Sequence, residues 1–345
     1  MKYPYYKCEL HLHLDGSLSA ADGWELAKTY HIDPGFPNYE TYAAHTHVDH
    51  DCHDLYQYLQ CFDIPLRILQ YEQPLEECAY RLGRSLAAEN VLYAEVRFAP
   101  QQHTKLGLKQ EEVVTAVLRG LQRAMEEAPI VLQGLLCMMI LSEDTHDANV
   151  ETLRLTQKYL HKGIGGLDLA GAEGIRALSE FKELFTKAKH QEIPFTMHAG
   201  ENGYPQHIQT ALKWGAKRIG HGVHAIKDEA IISTLIQNQI PLEVCYTSNL
   251  QCHVFPEGMI HPIRQLWEKG VLITINTDNR SISNTSLEQE YDRLRKDFSF
   301  TDEDFRHSNE IALQHALLDS QTKSILLQKL KEPIPAHSKK NGIMK

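Results

Sequence analysis

The side chains most able to do chemistry lie in four short runs: ELHLHLDGS (9–17), TMHAGEN (196–202), RIGHGVH (218–224) and INTDNR (275–280). In the first, an extended backbone would alternate side chains between two faces, with His11 and His13 on one and Leu10, Leu12 and Leu14 on the other. Two imidazoles at one strand end can share a metal ion, at roughly 2.0–2.1 Å if that ion is zinc. Asp15 continues the same face, and Gly16 lets the chain turn away. The plainer alternative is a strand with two polar residues on its solvent face. The other runs put His198 near a strand end with Glu201 three residues on, His221 between Gly220 and Gly222, and Asp278 beside Asn279. Singly these are weak, because a His before a Gly is commonly a surface residue and an Asp after a strand is commonly a turn former.

The elements that would position these residues change the odds. Short β-branched or apolar runs fall at 6–12, 91–98, 130–141, 163–170, 194–198, 218–221, 241–245 and 271–277. Segments with helical apolar spacing lie between them, at 109–128, 147–160, 175–190, 204–215, 228–238 and 261–269. Eight strands alternating with helices predict an α/β chain closed into a (β/α)₈ TIM barrel. Two regions exceed the minimal barrel: a helical insertion at 18–90 after the first strand, and extra C-terminal helices within 286–329. No linker-like stretch divides 1–330, which reads as a single domain, and the polar stretch 331–345 reads as a flexible tail.

In such barrels catalytic groups come from the C-terminal ends of several strands, and all four motifs fall there. Closure makes the first and eighth strands neighbours with the fifth across the mouth, so His11, His13, His198 and Asp278 can converge on one ion. Three nitrogens and a carboxylate suit Zn²⁺ or a similar first-row divalent ion, not Mg²⁺ or Ca²⁺. With a further position open to water, the ion would lower that water's pKa towards about 7. Glu201 and His221 are then left beside the ion, where a proton shuttle and a water-orienting base belong.

ELHLHLDGS, LDLAGAE (167–173), MHAGEN, RIGHG, TSNL (247–250) and NTDN resemble, in this order and spacing, the motifs of the adenosine deaminase family of metal-dependent hydrolases. The resemblance runs from about residue 7 to about 330 and is closest to the bacterial type. It implies a (β/α)₈ barrel, one zinc ion per chain held by His11, His13, His198 and Asp278, and hydrolysis of adenosine to inosine and ammonia. It implies that Glu201 donates a proton to N1 and that His221 positions and helps deprotonate the attacking water. By the same resemblance Asp15, with His13 nearby, holds the ribose 5′-hydroxyl, the Gly171 backbone faces purine N3, and Asn279 faces N7. Animal members carry Asp at this last position. An amide NH₂ can donate to N7 directly, whereas a carboxyl must first be protonated. The implied substrate is a purine nucleoside, 2′-deoxyadenosine included, and the implied role is purine salvage. The same chemistry on adenine or an N6-substituted AMP is the nearest rival; relatives of those kinds have Glu or Asn at the position of Asp15 and lack Leu169-Ala170-Gly171. An inactive binding barrel would be expected to lose Glu201 or a ligand. A two-metal amidohydrolase would be expected to carry a Lys on the fourth strand, and GIGGLDLAG has none. Nor is there a CxxC for the zinc nucleobase-deaminase scaffold.

Composition excludes other classes. A formal net charge of −10 argues against nucleic acid or an anionic membrane surface as the main partner. The longest apolar run, 130–141, is too short to span a bilayer, and MKYPYYKCEL has no secretory signal's apolar stretch. Seven cysteines without a CxxC pair read as reduced thiols in a cytoplasmic protein, Cys245 and Cys252 among them as buried ones. HTHVDHDCH (45–53) holds a second His-x-His, but it lies in a polar insertion and reads as a surface loop. LYQYLQCFD (55–63) reads as an amphipathic helix; the resemblance places Tyr58, Leu59 and Phe62 on a lid over the substrate.

Overall fold

The structure, a computed structural model, describes residues 2–49 and 52–334. Eight strands follow one another as β1 (Lys7–His13), β2 (Val91–Phe98), β3 (Val131–Ile140), β4 (Ile164–Gly171), β5 (His198–Ala199), β6 (Ile219–His221), β7 (Leu242–Val244) and β8 (Ile273–Ile275). Every paired neighbour is parallel, in two four-stranded sheets ordered β1-β2-β3-β4 and β5-β6-β7-β8. Parallel strands covered on both faces need continuous apolar runs, and β2 is buried at every position.

Single parallel bridges join the two sheets at both seams, Leu167 to Phe195 and Leu12 to Asp278. At the first seam Leu167 N–H donates to Pro194 O and Thr196 N–H to Leu167 O, each at 3.0 Å. At the second, His13 N–H donates to Asp278 O at 2.7 Å and Asp278 N–H to His11 O at 2.9 Å. The (β/α)₈ barrel expected from the alternation is the observed architecture.

The later strands are shorter than their apolar runs suggest. Around 194–198, Pro194 has no N–H to donate, yet Phe195 O and Met197 O still accept from Lys217 and Gly220 N–H at 2.8 Å each. The chain is extended there without a regular ladder. The β6 run ends on His221 and the β8 run stops just before Asp278, and both residues sit in the left-handed region, at φ 57° and 61°. A non-glycine residue costs of order 1 kcal/mol or more there, and such residues gather where function fixes the backbone.

The insertion after β1 forms helices Ala20–Thr29, Tyr39–His45, Leu55–Gln60, Asp63–Ile68 and Glu72–Ala88. The C-terminal segment forms Leu287–Phe298, Asp302–His315 and Ser320–Leu330. The second of these is tied to the barrel by polar side chains: Cys8 N–H donates to Asn309 Oδ1 at 2.6 Å and Ile275 N–H to Ser308 Oγ at 3.2 Å. Arg218 reaches His315 O at 2.9 Å. A separate apolar cluster of Cys8, Leu10, Leu92, Leu313, Leu326 and Leu330 lies between β1, β2 and these helices, and Ile334 packs against it. Of the expected tail, residues 335–345 lie outside the described residues. No helix among the described residues is long and apolar enough to cross a membrane.

Candidate active site at the barrel mouth

A cavity opens at the C-terminal ends of the strands. His13, Asp15, Gly171, His198, Glu201, His221, Asp278 and Asn279 line its polar side, and Leu55, Tyr58, Leu59, Phe62 and Leu66 from the insertion close over it. Met139, Leu141 and Ala170 add an apolar wall from β3 and β4. Of the residues given a catalytic, substrate-binding or metal role from the sequence, His11 alone does not line the cavity; it is fully buried. Tyr58 hydroxyl meets Ser283 Oγ at 2.6 Å, which ties the covering helix Leu55–Gln60 to the chain just after Asn279.

Side-chain alternation along β1 does what the sequence implied. The His11 and His13 rings lie 5.6 Å apart, and each sends Nε2 towards Asp278 Oδ1, at 3.5 and 3.4 Å. His198 enters from β5 with its ring 4.6 Å from that of His11 and 5.4 Å from that of His13. Donor atoms of His11, His198, His221 and Asp278 all lie within 4.8 Å of one another. That grouping contains His221 in place of His13. The chemistry behind the rings separates them. His11 Nδ1–H donates to Glu243 Oε2 at 2.9 Å, and His198 Nδ1–H to Asp168 Oδ2 at 3.0 Å. Each imidazole therefore turns an Nε2 lone pair into the site, and a carboxylate behind a ligating His is the usual arrangement at metal centres. His11 Nε2 is buried with no hydrogen-bond partner among the described residues. A buried lone pair without a partner, facing a carboxylate and a second imidazole, fits a first-row divalent ion.

One guanidinium holds both orienting carboxylates. Arg97, on β2, donates to Asp168 Oδ2 at 2.9 Å, to Glu243 Oε2 at 2.8 Å and to Leu10 O at 2.6 Å. Arg218 grips the other oxygen of Glu243 at 2.6 Å and pairs with Glu95. All five charged groups are fully buried. Burial opposes the charge of Glu243, but Arg97 and Arg218 hold its carboxyl well below the ordinary range. Burial likewise opposes Asp168, and His198 and Arg97 hold it down.

Glu201 sits in a different field. Burial first, then the charges of Asp278 and Glu173, push its carboxyl well above the ordinary range. Its Oε1 lies 3.6 Å from His221 Nε2. The loop that carries it is held by Glu173, whose carboxylate accepts from Gly200 N at 2.7 Å, Glu201 N at 2.9 Å and Asn202 N at 2.6 Å. His207 Nδ1 donates to the same carboxylate at 2.9 Å. Burial lowers both His13 and His221 well below the ordinary imidazole value.

Burial also raises Asp15 in the cavity lining, with His103 opposing. His103 Nδ1–H donates to Leu69 O at 2.8 Å, and its Nε2 lies 4.0 Å from Asp15 Oδ2. Gly171 has φ +111°, and a Cβ there would lie 2.4 Å from Ile140 O, so no other residue fits. At Gly16 a Cβ would lie 1.9 Å from Asn279 Oδ1, so the turn after β1 and the Asn279 side chain require each other's shape.

None of the described residues of the histidine-rich stretch 45–53 lines the cavity. His45, His47 and His53 are exposed, while Val48 and Cys52 pack with Leu55, Tyr58, Cys252 and Ile282 under the covering helix; His50 and Asp51 lie outside the described residues. Cys245 and Cys252 are buried, as expected. Sequence reasoning overlooked Arg97, Asp168, Glu173, Glu243, Asn249 and His103. Arg97, Asp168 and Glu243 carried a signal nonetheless, as charges inside otherwise apolar strands, VLYAEVRF, GLDLA and PLEVC.

Comparison with known proteins gives the family of the chain. The adenosine deaminase family model matches residues 6–333. The chain is 38% identical over 334 residues to an adenosine deaminase of Haemophilus ducreyi, covering 96% of this chain and 97% of that one. Among solved structures, an N6-mAMP deaminase of Arabidopsis superposes with a TM-score of 0.84 at 25% identity, covering 96% of this chain and 99% of that one. A Burkholderia ambifaria amidohydrolase with bound Zn superposes with a TM-score of 0.85 at 20% identity, over 95% of this chain and 90% of that one. The chain belongs to the adenosine deaminase family, hydrolases that act on C–N bonds.

Proposed function

We propose that the protein hydrolyses adenosine, and 2′-deoxyadenosine, to inosine or deoxyinosine and ammonia, as a purine-salvage enzyme of the cytoplasm. The observation that carries this reading is the position of Glu201. A buried carboxyl, pushed above the ordinary range by burial and by the charges of Asp278 and Glu173, lies beside a cluster of imidazoles and a carboxylate, in one cavity with Asp15 and Asn279. The seven cysteines are all free, which suits a reducing compartment. Residues 1–330 act as one catalytic unit, because the groups on β1 and those after β8 belong to one site.

His11, His13, His198 and Asp278 would hold one Zn²⁺. When bound, the ion supplies a nucleophile at neutral pH by acidifying water. The remaining steps belong to the chain's own side chains. Asp15 accepts the ribose 5′-hydroxyl, Gly171 N–H faces purine N3, and the Asn279 amide donates to N7. Glu201 gives its proton to N1, which breaks the ring's aromaticity and makes C6 electrophilic. His221 orients the oxygen that adds to C6. The proton shed by the attacking water returns to the Glu201 carboxylate; the new C6 hydroxyl then gives up its proton as the amino group gains one through Glu201, C6=O forms as the C6–N6 bond breaks, and ammonia leaves.

One observation favours a second reading. Lys105 lines the cavity rim and would attract a 5′-phosphate, as a deaminase of N6-substituted AMP requires. Asp15, a carboxyl 4.0 Å from His103 at the ribose end, opposes it. The test is the ultraviolet spectral change on incubation with adenosine, adenine, AMP and N6-methyl-AMP side by side. Turnover of adenosine alone supports the nucleoside reading, and comparable turnover of either nucleotide removes it.

A further inference from the structure

We infer that Asn249 and His261 are positioning residues that keep the His221 proton on Nε2, so that His221 meets the reacting centre as a hydrogen-bond donor and not as a metal ligand. Ile263 N–H donates to His261 Nδ1 at 3.3 Å. A backbone amide can only donate, so that nitrogen is the lone-pair nitrogen and neutral His261 carries its proton on Nε2. Burial, with the nearby charge of His224, lowers His261 to about 3, which keeps the ring neutral near pH 7. Nε2–H then donates to Asn249 Oδ1 at 3.2 Å. This turns the amide nitrogen of Asn249 to His221, where Nδ2 donates to Nδ1 at 3.0 Å.

The reverse orientation of the amide fails on counting. It would set an NH₂ against His261 Nε2, and His261 would then need a lone pair on both nitrogens, which neither the neutral nor the cationic ring possesses. All three side chains are buried, at 5, 2 and 1% exposure for His261, Asn249 and His221, so bulk water cannot stand in for any partner. His221 Nδ1 is an acceptor, and its proton sits on Nε2.

His11 and His198 are built the opposite way. Each has a carboxylate behind Nδ1 and so presents a lone pair at Nε2. His221 has an amide NH₂ behind Nδ1 and presents N–H. It stands close enough to join the cluster, within the same 4.8 Å grouping. Tautomer, not distance, separates it from the ligands, and the vacated ligand role passes to His13, whose Nε2 faces Asp278 Oδ1 at 3.4 Å. The N–H of His221 points towards Glu201 Oε1, 3.6 Å away. Its kinetic consequence rests on the deamination reading above. His221 holds the attacking oxygen by donating to it, and Nε2 cannot take up that oxygen's proton while it keeps its own.

The test is heteronuclear NMR of full-length protein labelled with ¹⁵N-histidine, with and without zinc, the His221 signals being assigned by their loss in His221→Gln. The expected pattern is a protonated Nε2 and an unprotonated Nδ1 in both states. Asn249→Asp places a carboxylate behind the ring and moves the proton to Nδ1. The variant should keep its zinc content and KM while kcat falls by about 10²-fold or more, since a wrong-tautomer imidazole in a hydrolytic site costs about 10⁴. His261→Gln retains a donor for Asn249 Oδ1 and should retain the His221 tautomer. A lone pair on Nε2 of His221 in the wild type, or Asn249→Asp with wild-type kcat, would overturn the inference. Absence of adenosine turnover in the wild type would instead sink the deamination reading, and the NMR result would still decide the tautomer.

Discussion

Glu173→Gln isolates what holds Glu201 in place. The carboxylate accepts three backbone N–H groups from Gly200, Glu201 and Asn202, and one from His207, with each oxygen taking two. Glutamine keeps the shape but exchanges one oxygen for an NH₂. The least harmful orientation turns that NH₂ to the oxygen site shared by Gly200 and His207, because His207 can change tautomer and accept. Gly200 N–H then loses its partner, at about 1–3 kcal/mol for a buried unsatisfied donor. The two surviving backbone bonds fall from charged to neutral acceptors, at about 1 kcal/mol each. The loop should therefore lose roughly 3–5 kcal/mol of local stability. A second effect acts on Glu201 itself. The Glu173 charge is among the causes that raise the Glu201 carboxyl, so its removal lowers that carboxyl and leaves less of it protonated at a given pH. The descending alkaline limb of kcat should move to lower pH, and kcat at neutral pH should fall by about tenfold or more, while zinc content stays at the wild-type value. Steady-state kinetics across pH, with metal analysis of the same samples, reads all three. An unshifted alkaline limb with wild-type kcat would refute the claim that Glu173 governs Glu201.

Glu201→Gln can still hydrogen-bond to N1 but cannot transfer a proton; it should bind zinc and a ground-state purine nucleoside normally and lose at least about 10²-fold in kcat, and retention of more than about a tenth of wild-type kcat would exclude the acid–base role. Metal analysis should find about one zinc per chain, lost or catalytically silent in His11→Ala and Asp278→Ala, whereas full activity after exhaustive chelation would count against a metal hydrolase. 5′-Deoxyadenosine should be poorer than adenosine by roughly 1–3 kcal/mol in kcat/KM, the cost of leaving buried Asp15 without its hydroxyl partner, and equal values would remove Asp15 from ribose recognition.

The barrel was legible because parallel strands buried on both faces leave apolar runs that differ from the periodic helices between them. VLYAEVRF (91–98) and Val91–Phe98 coincide to the residue. Agreement weakens where pairing depends on the seams. The run 194–198 yields a ladder only at His198–Ala199, since Pro194 lacks a donor and one bridge to Leu167 carries the join. The residues facing the cavity were legible for a similar reason: strand alternation places His11 and His13 on one face, and the other motifs sit where strands stop. What lies behind them was not. Asp168 and Glu243 stood in the sequence as charges within apolar strands, yet nothing local states that they orient His198 and His11. Those pairings span 30 and 232 residues and exist only after the barrel closes.

The layer beneath the cavity works by orientation more than by cohesion. Arg97, Arg218, Glu95, Asp168 and Glu243 are fully buried charges. Well-packed apolar residues of similar volume would commonly stabilise a fold at least as well, because the desolvation of each ion offsets much of the attraction. An apolar layer could not tell Nδ1 from Nε2. The carboxylates of Glu243 and Asp168 can, and Arg97 keeps both of them ionised and in place. Asn249 makes the opposite choice for His221 with a neutral amide. Three imidazoles of identical chemistry thus meet at one site already differentiated, His11 and His198 each presenting a lone pair and His221, on the inference above, a proton. The difference is set by what stands behind each ring.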